Sequence, residues 1–328
     1  MTDGPGHDGR DERTERRLWL EGVLGGLHDR YAGLNEGALA DYIPELTTVD
    51  PDRFAIAAMT TDGERIEVGD CDHRFTVQSI SKLLVYGLAL ETCGREAVLE
   101  RVGVAPTGER FNAIVLDDTD NRAPNPMVNA GAIAVADLVP GDGVDERLGV
   151  VLDTFERYLG RRPAVDESVL ASERTTGDRN RAIAYLMSSR GILERDVDST
   201  LDVYFAQCSV LVNAADLATV GAIVANHGSN PQTGERIVDA TIARDLMTVA
   251  LTCGMYDYAG EWAYTVGIPA KSGVGGGILG ILPGAGGIAT FSPRLDGHGH
   301  SVRGVKVFEE LSREFDLHLF DPDRPWYR

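Results

Sequence analysis

The chain has 328 residues, with 31 basic against 51 acidic side chains for a formal net charge of −20, and 43% of it is hydrophobic. That much apolar material builds a sizeable core, which excludes a disordered chain or a disulfide-stapled miniature. A surface this acidic repels phosphate backbones and anionic lipid, and no basic run offsets it, so neither nucleic acid nor a membrane surface is an expected partner.

Residues 1–12 are polar and acidic, with no apolar core of the kind a signal peptide needs, so a disordered tail and a cytoplasmic location are expected. Leu18, Leu20, Val23, Leu24, Leu27 and Tyr31 then recur at helical spacing, with Gly33 as a stop. Phe54 to Met59, an Asp62-Gly63 turn and Arg65 to Val68 predict a β-hairpin. From about Phe75 to Tyr258 the pattern is helical, for example over Ser79 to Thr92, Asn129 to Leu138, Leu148 to Leu159 and Leu217 to Ala225, with no long strand. Strand-like runs return at Val266 to Ala270, Ile278 to Leu282 and Gly287 to Phe291, and an amphipathic helix from about Val302 to Phe315 closes the pattern. Ser272 to Pro293 carries no charge, but its glycines and Pro283 suit two short strands and a turn better than a membrane span.

Strands at both ends can share one sheet only if the middle is an excursion from it. The expected fold class is therefore α/β (α+β): an antiparallel sheet flanked by terminal helices, plus an inserted all-helical lobe. Residues 13–328 are read as one domain, its α/β lobe spanning about 13–74 plus 262–328 and its helical lobe about 75–261. A site between the two is the natural place for a small molecule.

Only three of the 31 basic residues are lysines, Lys82, Lys271 and Lys306. Where lysine persists against such a bias, a guanidinium is a poor substitute, because only an ammonium can lose its proton and act as a base. Ser79 and Lys82 form Ser-x-x-Lys where an extended segment enters a helix, so both fall on one face beside the backbone N–H groups of the first turn. With 13 serines and three lysines, chance supplies about 0.12 such pairs. The alternative is that Ser79 caps the helix and Lys82 lies on the surface. Lys271-Ser272-Gly273, on a late strand, matches the second element of serine enzymes that carry Ser-x-x-Lys, and a second ammonium there is expected to depress the pKa of Lys82 by repulsion.

Other patterns carry less. Gly275 to Gly280 satisfies G-x-G-x-x-G, but Pro283 and another strand follow where a dinucleotide site needs a helix. Thr119-Asp120-Asn121 is an imperfect match to the S-D-N element. His298 and His300 read as solvated imidazoles on a glycine-rich loop, and Cys71, Cys93, Cys208 and Cys253 as buried free thiols, so no metal site or disulfide is expected.

From about Leu18 to Leu319 the chain resembles the serine-dependent glutaminase family, whose fold is similar to that of serine β-lactamases and penicillin-binding proteins. The resemblance rests on Ala40-Asp41-Tyr42-Ile43-Pro44-Glu45-Leu46, Gln78-Ser79-Ile80-Ser81-Lys82, Asn125-Pro126-Met127-Val128-Asn129-Ala130-Gly131-Ala132-Ile133, Ser172-Glu173-Arg174 with Gly177-Asp178-Arg179-Asn180, Cys253-Gly254-Met255-Tyr256-Asp257 and Pro269-Ala270-Lys271-Ser272-Gly273-Val274. It implies an amidohydrolase, without a cofactor, that converts L-glutamine to L-glutamate and ammonia through an acyl-serine. Ser79 would be the nucleophile, Lys82 its partner, and Tyr42 and Tyr256 hydrogen-bond donors or proton shuttles at the amide. Asn129, Glu173, Asn180, Tyr204 and Tyr256 would line the substrate pocket, with Val274 giving its backbone N–H. A homo-oligomer, dimer or tetramer, is implied too. The nearest rival is another Ser-x-x-Lys hydrolase of the same fold; a non-catalytic amino-acid-binding module is the rival of a different class.

Overall fold

The computed structural model describes residues 9–41, 43–110, 112–113, 116 and 121–321. The predicted hairpin is β1 (Ala55–Thr60) and β2 (Arg65–Gly69). Two-residue strands β3 (Phe75–Thr76) and β4 (Leu211–Val212) pair antiparallel with each other. They are the one strand ladder among the described residues of the otherwise helical middle, and are too short to leave a periodic signal. Late in the chain come β5 (Ala270–Ser272), β6 (Gly277–Leu282) and β7 (Gly286–Phe291). The main sheet has the order β2-β1-β7-β6-β5, and every neighbouring pair is antiparallel.

The two ends of the chain thus meet at β1 and β7, where Ala57 lies opposite Ala289. The strand period divides β1 between two cores. Ile56 and Ala58 pack with Leu24 and Leu27 of the first helix, Gly9–Tyr31, and with Val305 and Phe308 of the last, Val302–Glu314. Ala55, Ala57 and Met59 join the larger core of the helical middle. Burial on both faces explains why β1, β6 and β7 read as continuous apolar runs, and each large apolar side chain so buried stabilises the fold by about 1.5–3 kcal/mol.

Several expectations change. The first helix begins at Gly9, not near Leu18, so residues 9–12 of the expected tail are helical and residues 1–8 lie outside the described residues. Leu18 and Trp19 are exposed, because the helix reaches past the sheet it covers. The strand expected over Val266 to Ala270 is reduced to its last residue. The N–H groups of Val266 and Gly267 instead close the end of the helix Ala259–Thr265 on the Trp262 carbonyl, and buried Trp262 Nε1 donates to Ile268 O at 2.7 Å. Cys71, Cys208 and Cys253 are buried, whereas Cys93, at the end of its helix, is exposed; all four are free. His300 is fully buried, although its loop looked solvated.

The helix Ala214–Ala225 lies directly on the sheet, started by a capping box in which Asn213 and Asp216 satisfy each other's backbone N–H groups. Close approach is possible because Gly287 has no Cβ: one placed there would lie 2.3 Å from Ala218 O and 2.4 Å from Ala222 N. Backbone blocks it on that side and cannot yield cheaply. Gly287→Ala is therefore expected to cost about 1–3 kcal/mol or more, seen as a lowered midpoint in thermal or urea unfolding. An unchanged midpoint would show that helix and sheet can separate freely.

Candidate active site

The sequence from β3 onward builds one sharp corner. A 3-10 turn, Gln78–Ile80, precedes the helix Ser81–Cys93, so Ser79 sits just before the α-helix rather than inside its first turn. Gln78 has φ +49°, a left-handed conformation costly for a residue with a side chain. Tertiary hydrogen bonds hold it there: Val77 N–H donates to Val210 O at 2.8 Å, Ser81 Oγ to Gln78 O at 2.7 Å, and Gln78 Nε2 to Thr76 Oγ1 at 3.2 Å. The result leaves Ser79 partly accessible while both its neighbours are buried.

Lys82 is only 1% exposed. Its Nζ donates to Met127 O at 3.0 Å and Asn129 Oδ1 at 2.7 Å, and Asn129 Nδ2 passes the chain on to Asn180 Oδ1 at 2.8 Å. The Met127 carbonyl is aimed by a loop in which Asn125 Oδ1 accepts from the N–H groups of Met127 and Val128. That loop folds onto the helix Asn129–Asp137 at Gly131, where a Cβ would lie 1.8 Å from Asn125 O. Burial lowers the Lys82 pKa to about 8, with the Glu173 carboxylate opposing. Lys271 lies close enough for the two ammonium groups to repel, and its own pKa is driven down first by burial and then by Lys82.

Lys271 and Ser272 stand on β5, with Gly273 next, as expected for the second element. Lys271 is fully buried, and its Nζ donates to Gly254 O at 3.0 Å and Ser272 O at 2.6 Å. Between the lysines lies the ring of Tyr256, its centroid 4.0 Å from Lys271 Nζ and 5.6 Å from Lys82 Nζ. Tyr256 also has a left-handed backbone, φ +55°, and its buried hydroxyl has the Ser79 side chain beside it, which opposes the rise that burial imposes on its pKa. Burial raises its pKa, so the phenol stays protonated at neutral pH. The structure therefore brings Ser79, Lys82, Tyr256 and Lys271 into one dry cluster.

Glu173 projects from the helix Glu167–Thr176, which is capped by Asp166 accepting from Ser168 N and Val169 N. It is 8% exposed, and burial raises its pKa to about 7, with Lys82 opposing. A carboxylate there is costly unless a cation joins it. Tyr204 is buried on the helix Val197–Cys208 and hydrogen-bonds Cys208, whose thiol burial pushes up to about 12. Val274 follows β5 and packs with Ala40 and Leu295. Tyr42 lies outside the described residues, as do Thr119 and Asp120, while Asn121 turns away to donate to Arg190 O.

Sequence reasoning missed the Met127 carbonyl, which carries no side-chain signal, and the backbone strain at Gln78 and Tyr256, which only φ reveals. Among the described residues no group of three or more His, Cys, Asp or Glu side chains could hold a metal ion. What remains is a hydroxyl, a low-pKa amine and neutral donors around a carboxylate waiting for a cation.

A family model described as glutaminase matches residues 37–320. The glutaminase of Nostoc sp. is 56% identical over 299 residues, 91% of this chain and 90% of its own length. Glutaminase 2 of Clostridium perfringens is 46% identical over 290 residues, 88% of this chain and 95% of its own. Among solved structures, Mglu in its glutamate form superposes with TM-score 0.89 at 44% identity, covering 93% of this chain and 70% of that one. A probable glutaminase from Bacillus subtilis complexed with 6-diazo-5-oxo-L-norleucine gives 0.83 at 34% identity, over 93% and 97%. Likeness of this extent, in a chain whose sheet and helices adopt the β-lactamase-like arrangement, settles the family: the chain belongs to the glutaminases and hydrolyses L-glutamine to L-glutamate.

Proposed function

We propose that hydrolysis runs through a γ-glutamyl ester on Ser79. The observation that carries this is the Ser79 hydroxyl, beside the Tyr256 phenol and one turn ahead of a buried lysine whose pKa is drawn to about 8. Ser79 Oγ attacks the carboxamide carbon while neutral Lys82 takes its proton, directly or relayed through the Tyr256 hydroxyl as that gives up its own. The oxyanion accepts from the N–H groups of Ser79 and Val274. The C–N bond breaks, and ammonia leaves with the returned proton. Water then attacks the ester and passes its proton back through the same groups, releasing L-glutamate and restoring Ser79.

Glu173 is the partner for the substrate's α-ammonium, and its raised pKa fits a carboxylate held without its cation. Asn129, Asn180 and Tyr204 supply neutral polar contacts to the amino-acid end. Tyr42 acts at the amide alongside Tyr256, and Lys271, Ser272 and Gly273 support Tyr256 and Val274 from the strand. The whole of 13–328 acts as one catalytic domain with its site between the α/β lobe and the helical lobe. A homo-oligomer is supported by exposed Leu18 and Trp19 on one helix, and light scattering decides it; a monomer at assay concentration refutes it. The four free thiols support the cytoplasm as its location.

Ser79→Ala is expected to lower kcat by about three orders of magnitude or more and to abolish the acyl adduct in mass spectra of quenched reactions. Lys82→Arg should be as damaging as Lys82→Ala, because a guanidinium cannot give up its proton. A Ser79→Ala enzyme that retains most ammonia release would refute the nucleophile.

The pH dependence follows from two ionisations. Glu173 must be charged to hold the ammonium, a fraction that grows as pH rises through about 7. Lys82 must be neutral to act as a base, which grows through about 8. Both limbs rise with pH, so kcat/KM is expected to fall steeply on the acid side and level off above the second value. Glu173→Gln should remove the lower limb and raise KM by roughly thirtyfold, the loss of about 2 kcal/mol for a charged hydrogen bond. An acid limb identical in Glu173→Gln and wild type would exclude Glu173 as the ammonium partner.

A further inference from the structure

His300 is the one histidine whose whole side chain is buried among the described residues, at 0% exposure, and nothing in the proposed chemistry uses it. It stands on a tight loop: its N–H donates to Asp296 Oδ1 at 3.0 Å, and its carbonyl accepts from Asp296 N–H at 2.8 Å. The imidazole is held parallel to the ring of Tyr256, centroids 6.2 Å apart and planes within 10°, and it also meets Tyr258 at 5.8 Å. Tyr256, in turn, occupies a left-handed backbone conformation that an isolated chain would abandon. Its ring has Lys271 on it, fixed by two carbonyls, and His300 beside it.

We propose that His300 is a positioning residue that acts through Tyr256, its flat ring keeping the Tyr256 hydroxyl on Ser79. The proposal rests on the role assigned above to Tyr256. A buried histidine is tolerated so near Lys271 because its ring stays uncharged. Burial pulls its pKa down to about 4, Lys271 and His298 push the same way, and Asp296 opposes. The ring is therefore neutral in the working range and adds no third cation to the pocket. What the site takes from His300 is shape and neutrality rather than a proton.

A positioning role produces a pattern that a merely structural residue would not. His300→Ala should lower kcat by about tenfold to a hundredfold, the scale of a small misplacement at the reacting group, while KM changes little because Glu173 and Asn180 are unaffected. His300→Phe, a neutral flat ring, should restore kcat to within about threefold of wild type. In a double-mutant cycle, His300→Ala should cost nothing further in a Tyr256→Phe background, since the hydroxyl it positions is already gone. His300→Leu runs the same cycle with the volume filled and the flat ring absent, so a poorly folding alanine variant does not end the test.

Equal losses from the His300 substitutions in the wild-type and Tyr256→Phe backgrounds would overturn the proposal and leave Tyr256 standing. So would a phenylalanine variant as slow as the alanine one. An unimpaired Tyr256→Phe enzyme would remove the role of Tyr256 and that of His300 with it.

Discussion

The structure turns on keeping the ammonium of Lys82 out of water. Removing such a group from solvent costs several kcal/mol unless acceptors surround it, and the acceptors here are a main-chain carbonyl and a side-chain amide oxygen, Met127 O and Asn129 Oδ1. Each is committed by something further out. Asn125 aims the carbonyl, Gly131 leaves room for the loop that carries it, and Asn180 fixes which end of the Asn129 amide faces the lysine. None of these partners is ionised. A carboxylate in their place would have stabilised the ammonium and raised its pKa; neutral acceptors hold the amine while letting it lose its proton within the physiological range.

The same economy of charge governs the rest of the site. Lys82, Lys271, Glu173 and His300 are all buried, and a dry pocket cannot hold all of them ionised. His300 is neutral, Glu173 is poised near neutrality, and the Lys271 ammonium finds two carbonyls and the face of Tyr256. Tyr256 is where these arrangements meet: its ring faces both lysines and its hydroxyl has Ser79 beside it. Its left-handed backbone stores strain at that junction, as does that of Gln78 immediately before Ser79.

The fold supplies what such a cluster requires, a rigid frame on two sides. β5 carries Lys271 at the edge of a sheet buried on both faces, and the helix of Lys82 enters from the larger hydrophobic core. Most of the surface ion pairs, by contrast, lie where solvent screens them and contribute little. Lys306, paired with Glu309 and 48% exposed on its side chain, belongs to that group and is the one lysine outside the site.

Much of this was legible in the chain by itself. The hairpin, the terminal helices and the three late apolar runs follow from periodicity and turn chemistry, which are local, and the position of strands at both ends implies a shared sheet. Ser79, Lys82 and Lys271 stood out because so few lysines survive, and the remaining candidates came from the family resemblance. Tertiary structure decided what depends on environment. The Val266 to Ala270 run lost all but its last residue as strand to the Trp262 helix end, His300 went inside when its loop looked solvated, and burial is the first cause of the low pKa of Lys82. A residue's type and spacing are written in the chain; the dielectric around it, the carbonyls aimed at it and the backbone angles imposed on it are set only when distant segments pack together.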